Sequence, residues 1–153
     1  MNVYAQLIEH MMNPKNYGTL AGSNAEGIGK NPENGEKVAV YLRVATDDDG
    51  AYIEDIAFQA IGCTTTVVAG SMITEEAREL NINGVRNLIE ATMKLLDRLP
   101  AEDAACSEMV ALALGAAVDT YEKRIEDPDF PVITYTVSNS CVPKEEDQQE
   151  EEV

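Results

Sequence analysis

The 153-residue chain carries 28 acidic against 11 basic side chains, a formal net charge of −17. A surplus of that sign excludes nucleic acid and anionic membrane surfaces as partners, because both are held by clustered lysine and arginine. With 44% hydrophobic residues the composition is that of one globular domain with a sizeable core, and three widely spaced cysteines do not make a secreted disulfide framework.

The charge is uneven. Glu145-Glu146-Asp147 and Glu150-Glu151-Glu152 crowd the last residues, so 143–153 is expected to be an acidic, disordered tail. No basic and apolar leader opens the chain, and the longest apolar run, Met109 to Val118, is too short to cross a bilayer. The expected compartment is a reducing cytoplasm, where cysteines are core residues, metal ligands or nucleophiles.

Val3 to Met12 carries Tyr4, Leu7, Ile8 and Met11 at helical spacing, and the helix must stop before Asn13-Pro14. Asn13-Pro14-Lys15-Asn16-Tyr17-Gly18 reads as a turn. Turn chemistry then continues through Gly22-Ser23-Asn24, Gly27, Gly29 and Asn31-Pro32-Glu33-Asn34-Gly35, which predicts one long irregular loop. Glu36 to Ala45 alternates as a half-buried strand, with Val38, Val40, Leu42 and Val44 on one face. Asp47-Asp48-Asp49-Gly50 turns the chain, and Ala51 to Ala60 returns with Ile53, Ile56 and Phe58. An antiparallel pair brings Asn34-Gly35-Glu36 close to Ile61-Gly62-Cys63.

Cys63 sits where that strand ends and a helix, Thr64 to Leu80, begins. Unpaired N–H groups and the helix dipole favour a thiolate there, although a buried, inert cysteine is the commoner case. Val85 to Leu96 predicts a second helix, ended by Leu99-Pro100. A third has Asp103 as its N-cap and a stripe of Val110, Leu114, Ala117/Val118, Tyr121 and Ile125, with Cys106 in its first turn. Val132 to Val137 predicts one more strand, an added sheet edge. The expected class is α+β, a small antiparallel sheet with helices packed on one face and an extra C-terminal strand. Its expected divisions are a domain over 1–126, a C-terminal extension over 127–142 and the tail. Two helix starts that each carry a cysteine suit a metal–thiolate cluster or a redox thiol pair.

Leu7-Ile8-Glu9-His10, the turn Asn13 to Gly18, Phe58 through Glu75, and Leu99-Pro100 with Cys106-Ser107 together resemble the NifU/IscU family of iron–sulfur cluster scaffolds. The likeness runs from about Tyr4 to Tyr121. The sequence departs from the family at several points. Where the family reads Cys-Gly-Asp, this chain has Asn34-Gly35-Glu36. The histidine before the third cysteine, and the lysine near it, are replaced by Ala105 and Asp103. The segment that a dedicated chaperone reads in the family is Leu99-Pro100-Ala101-Glu102-Asp103 here, its basic character reversed.

The resemblance implies a [2Fe-2S] cluster or iron as cargo, with zinc as a substitute. The ligands it implies are Cys63, Cys106 and Glu36, with Asn34 a weak carbonyl donor. A cluster of this type wants four strong, mostly thiolate ligands. Two routes complete the set: Cys141 folding back from the extension, or a homodimer in which each protomer gives Cys63 and Cys106. Composition alone makes Cys141 an exposed or edge thiol. His10, the single histidine, is expected to pack or complement its helix dipole rather than ligate. The partners implied are a cysteine desulfurase, an iron donor and client apo-proteins, with ligand exchange rather than enzymatic turnover. Two other readings stay open, an interaction or regulatory module that keeps the fold without assembling clusters, and a metal-free persulfide carrier.

Overall fold

The computed structural model describes residues 5, 8–9, 12–32, 35–61, 64–95 and 101–137, the side chains of 64, 65, 95 and 101–106 excepted. Strands β1 (Ala25–Asn31), β2 (Glu36–Asp47), β3 (Gly50–Ile61) and β4 (Ile133–Thr136) form one sheet in the order β3-β2-β1-β4. Helices α1 (Thr64–Ala77), α2 (Ile82–Leu95) and α3 (Ala101–Glu126) follow the hairpin and pack against one face of the sheet. In the opening segment Ala5, Ile8, Glu9 and Met12 are helical, and Asn13 N–H still donates to the Glu9 carbonyl at 2.8 Å before Pro14 ends the run.

The period-2 pattern of β2 decides which face is covered. Val38, Val40 and Leu42 are fully buried, while Ala39, Tyr41 and Arg43 between them point to the open side. Val40 pairs with Phe58 and Leu42 with Ile56, so both strands contribute to one core. On β3 the apolar spacing breaks between Ile53 and Ile56, and the pairing shows why. Arg43 faces Asp55 and Val44 faces Ile53, leaving Glu54 as the extra residue of a bulge that returns Ile53 to the core side. Arg43 holds both carboxylates there, Glu54 at 3.0 Å and Asp55 at 3.4 Å.

One expectation is overturned. Residues 25–31, read from their glycines and asparagines as part of a long loop, are β1, an inner strand between β2 and β4. The glycines serve contact rather than a turn. A Cβ on Gly27 would stand 2.1 Å from the Ala117 nitrogen, and one on Gly29 would stand 2.2 Å from the Met109 carbonyl oxygen. The α3 backbone therefore lies directly on β1, through Met109, Ala113 and Ala117. Contact of this closeness requires strand positions without a side chain. As α3 advances from Met109 to Ala117 it passes from Gly29 back to Gly27, so helix and strand are antiparallel.

The final strand also alters the sheet. β1 pairs antiparallel with β2 but parallel with β4, giving a mixed sheet of an antiparallel three-strand unit plus one parallel edge. β4 is tied to α3 by Thr120, whose hydroxyl accepts from Ile133 N–H at 3.1 Å, and by Tyr135, whose hydroxyl donates to Asp119. Arg86 of α2 reaches the same Asp119 at 2.9 Å and Glu122 at 2.7 Å, which ties α2, α3 and β4 together. Helix boundaries differ from expectation by a few residues. α3 begins at Ala101 rather than at an Asp103 cap. α1 stops at Ala77 because Glu79 turns left-handed (φ 74) so that its N–H can reach the Ile53 carbonyl at 2.8 Å.

Two measurements check this frame. Gly29→Ala should forfeit about 3 kcal/mol of stability by overpacking, read as a lower urea midpoint, whereas Gly50→Ala, with open space around it and φ 116, should lose about 1 kcal/mol. The hydrogen bond to Asp119, with partial burial and the Asp119 charge, raises the Tyr135 pKa above the ordinary tyrosine value of 10.0. A raised pKa means the folded state holds the proton more tightly, so this contribution is full below pH 10 and declines as pH rises beyond it. Tyr135→Phe should remove that alkaline decline, measured by thermal unfolding across the pH range.

Candidate functional site

The antiparallel run of α3 on β1 directs the start of the helix to a particular place. Cys106 precedes Met109 by three residues, about 4.5 Å along the helix axis. In the same direction β1 runs on from Gly29 to its end at Asn31, about 6.6 Å further along the strand. The helical turn that carries Cys106 thus lies toward the end of β1 where Asn31 pairs with Glu36, the first residue of β2. Asn31 is almost completely buried there, and Glu36 is half-buried. Between them the chain reverses through 32–35, closed by a Gly35 N–H to Asn31 carbonyl hydrogen bond of 2.9 Å, with Gly35 at φ 78. Asn34, just before Gly35 in the sequence, lies outside the described residues.

β3 reaches the same end. Ile61 is its last residue and pairs with Lys37, next to Glu36, and α1 starts at Thr64. Gly62 and Cys63 occupy the connection and lie outside the described residues, as does Cys141. For Cys106 the helical backbone is described and the side chain is not. The described frame therefore brings together Glu36, the turn of Cys106 and both flanks of Cys63. Among the described residues no three histidine, cysteine, aspartate or glutamate side chains gather closely enough to hold a metal ion, a set that includes none of the cysteine side chains.

The segment Asn13 to Gly18 turns out to be the brace of this end. Its backbone adds to the free edge of β3, with Gly18 N–H donating to the Phe58 carbonyl at 2.8 Å and Phe58 N–H donating to the Asn16 carbonyl at 2.9 Å. Lys15 N–H donates to the Ser71 hydroxyl of α1 at 2.7 Å, and the Asn16 amide donates to Thr74 at 3.1 Å. Arg78 reaches the Asn16 side-chain oxygen and also binds Asp55 of β3 at 2.6 Å. Asn16 holds φ 63, a conformation asparagine tolerates better than most residues. Phe58 fills the joint: its ring lies against Gly70 of α1, and Tyr17 packs edge-on at 5.1 Å. The segment thus fixes α1 to β3 on both sides of the Cys63 connection.

Sequence reasoning passed over three features here. Asn16 gives one signal in the sequence, the left-handed tendency of asparagine in a turn. Asn31 and Glu108, both 7% exposed, are polar groups buried at this end, Glu108 two residues after Cys106 on α3. Glu108 stands among apolar neighbours, the one hint that it is enclosed. Among the described residues no helix is long and apolar enough to cross a membrane.

This arrangement, a three-strand antiparallel unit with one parallel edge strand and helices on one face, is an α+β fold. The family model described as the NifU-like N terminal domain matches residues 3–127, and the chain belongs to that family. It is 30% identical over 120 residues to the iron-sulfur cluster assembly scaffold protein IscU 1 of Archaeoglobus fulgidus, covering 78% of this chain and 76% of that one. It is 28% identical over 153 residues to the iron-sulfur cluster assembly scaffold protein IscU of Aquifex aeolicus, covering 95% and 89%. The fold matches the crystal structure of a putative iron-sulfur cluster assembly scaffold protein for the SUF system from Fervidobacterium islandicum with a TM-score of 0.58. There the identity is 14%, over 74% of this chain and 93% of that one.

The brace can be tested apart from any ligand. Asn16→Gly keeps the backbone conformation and removes the side-chain bonds to Thr74 and Arg78. It should cost about 1–2 kcal/mol. Asn16→Ala adds the left-handed strain and should cost about 1 kcal/mol more. Chemical denaturation of both variants reads the two contributions separately.

Proposed function

We propose that this chain is an iron–sulfur cluster scaffold or carrier. It receives sulfur from a cysteine desulfurase and iron from a donor, holds a labile cluster, and passes it to client apo-proteins in the cytoplasm. The observation that carries the reading is the convergence of Glu36, the Cys106 turn and both flanks of Cys63 at one end of the sheet. Membership of a family whose curated relatives are named as cluster assembly scaffolds supports it.

In this reading Cys63 and Cys106 are thiolate ligands, Glu36 a carboxylate ligand and Asn34 at most a weak carbonyl donor. The cargo is a [2Fe-2S] cluster or iron, and zinc is a substitute for the same donors. The chemistry is ligand exchange at thiolates, so the protein is not an enzyme. A donor set poorer in thiolate than the family's favours release over storage.

Two sources can supply the missing thiolate. The direction of β4 supports Cys141. β4 runs parallel to β1, and Val137 N–H donates to the Lys30 carbonyl at 2.8 Å, beside the Asn31–Glu36 pair. Four more residues reach up to about 13 Å, enough to bring Cys141 to the site. The alternative is a homodimer with two Cys63/Cys106 pairs. Asn34, where the family has cysteine, favours one second reading, an interaction module that keeps the frame without assembling clusters.

Anaerobic reconstitution with ferrous iron, cysteine, a desulfurase and a dithiol, which supplies the two electrons that reduce each persulfide sulfur to sulfide, should yield a coloured protein with matched iron and acid-labile sulfide. Cys63→Ser and Cys106→Ser should each lower cluster content by at least about tenfold, as the loss of one ligand implies. Cys141→Ser should do the same if Cys141 is the third thiolate, and should leave the content unchanged in a bridged dimer. A protein that takes up only zinc would sink the cluster version and keep the metal site. If the natural chain binds nothing and Asn34→Cys restores a cluster, the module reading stands. An added sulfur atom on Cys63 or Cys106 without metal would instead identify a persulfide carrier.

A further inference from the structure

The sheet face opposite the helices carries an electrostatic contradiction at the site end. Lys30 and Lys37 are both exposed and stand directly opposite each other across β1 and β2. Like charges at opposed sheet positions repel, and in a chain of net charge −17 carboxylates are plentiful. Yet neither lysine forms an ion pair with a described residue, whereas Lys15, Arg43, Arg78 and Arg86 all do. Beside the pair, Ile61 is 63% exposed opposite Lys37, and Tyr17 is 48% exposed. Lys37, Ile61, Tyr17, Tyr41 and Ile28 line a shallow depression of about 330 Å³ on this face, with Glu26 at the Tyr41 side, four residues along β1 from Lys30. The Lys30–Lys37 end of the face is thus cationic, beside the exposed apolar Ile61, on a molecule of net negative charge.

The chain itself contains a matching segment. β4 brings Val137 into hydrogen-bond contact with the backbone of Lys30. Sixteen residues follow Val137, and they carry the six carboxylates of Glu145-Glu146-Asp147 and Glu150-Glu151-Glu152 against the single Lys144. Glu145 is eight residues beyond Val137, a reach of up to about 26 Å, while neighbouring strands are about 4.8 Å apart. The first acidic triplet can therefore turn back over both lysines without strain. Tethering at this range makes the encounter intramolecular, with an effective concentration on the order of millimolar.

We propose that the acidic C-terminal segment of this chain folds back across the open sheet face and seats on Lys30 and Lys37. Seated there, it neutralises the repelling pair and covers Ile61 at the site end of the sheet. A partner that approaches this end must displace it. The inference rests on charge, register and chain length, and it is independent of whether the site carries a cluster.

Limited acetylation of the full-length protein with an amine-reactive ester, read lysine by lysine by mass spectrometry, tests the seat. Lys94 and Lys123, exposed and without an ion pair to a described residue, are the internal standards. Against them, Lys30 and Lys37 should react about three- to tenfold more slowly at low salt than in a full-length variant with Glu145, Glu146, Glu150, Glu151 and Glu152→Gln and Asp147→Asn. The protection should fade at about 0.5 M salt, where screening shortens to a few ångströms. Equal rates in the natural and amide chains, with matching circular dichroism, would overturn the proposal. Protection that disappears on dilution at constant salt would overturn it too, assigning the tail to the face of a second copy.

Discussion

The structure depends on the contact between the α3 backbone and the two glycines of β1. Helix and strand approach until the Met109 carbonyl and the Ala117 nitrogen occupy the space that side chains on Gly29 and Gly27 would need. The contact sets the height of α3 over the sheet, its antiparallel direction and its register. The register directs the start of α3, with the turn of Cys106, toward the Asn31–Glu36 end of the sheet. A helix held off by ordinary side chains could rotate or slide by a residue, and either movement would shift the start of α3 against this end of the sheet. The alanines of α3, with Met109, Val110 and Leu114 packed beside them, give the helix a shape able to lie flat there.

A second constraint acts on the other cysteine. The connection between β3 and α1 is short, so the position of Cys63 follows from how α1 sits on β3. The Asn13 to Gly18 segment fixes that relation through bonds to both elements, and Phe58 locks it by packing between Tyr17 and Gly70. The two constraints share little beyond the sheet itself. One locates the Cys106 turn through β1, the other the flanks of Cys63 through β3, and β2 joins them by pairing with both. That division keeps the frame at this end independent of which residues it presents.

Much of this was legible in the residues. The β2–β3 hairpin followed from strict alternation and an Asp-Gly turn, and the three helices from apolar spacing and proline stops. The end of the sheet where Glu36 meets the Cys63 connection followed from hairpin geometry alone. What escaped was β1. Glycine in a strand and glycine in a loop look the same in sequence, because the side chain that would reveal alternation is missing. Only the presence of α3 against Gly27 and Gly29 gives the pattern its meaning. The bulge at Glu54 escaped for a similar reason, since the uneven Ile53–Ile56 spacing makes sense only once Arg43 and Val44 have partners.

By itself, then, the sequence determined the class of fold and the kinship to the NifU-like family, which the Asn-Pro turn and the Cys63 and Cys106 segments carry. These are properties of residue identity and local spacing, and both are written along the chain. Tertiary structure alone decided that residues 25–31 pair as an inner strand, that β4 lies parallel to β1 and aims the C-terminal segment at the site end, and that Lys30 and Lys37 face each other without an ion-pair partner among the described residues. Each of these depends on which distant backbone comes within contact distance. Spacing along the chain does not encode that distance, because it arises from how closely helix and sheet can pack.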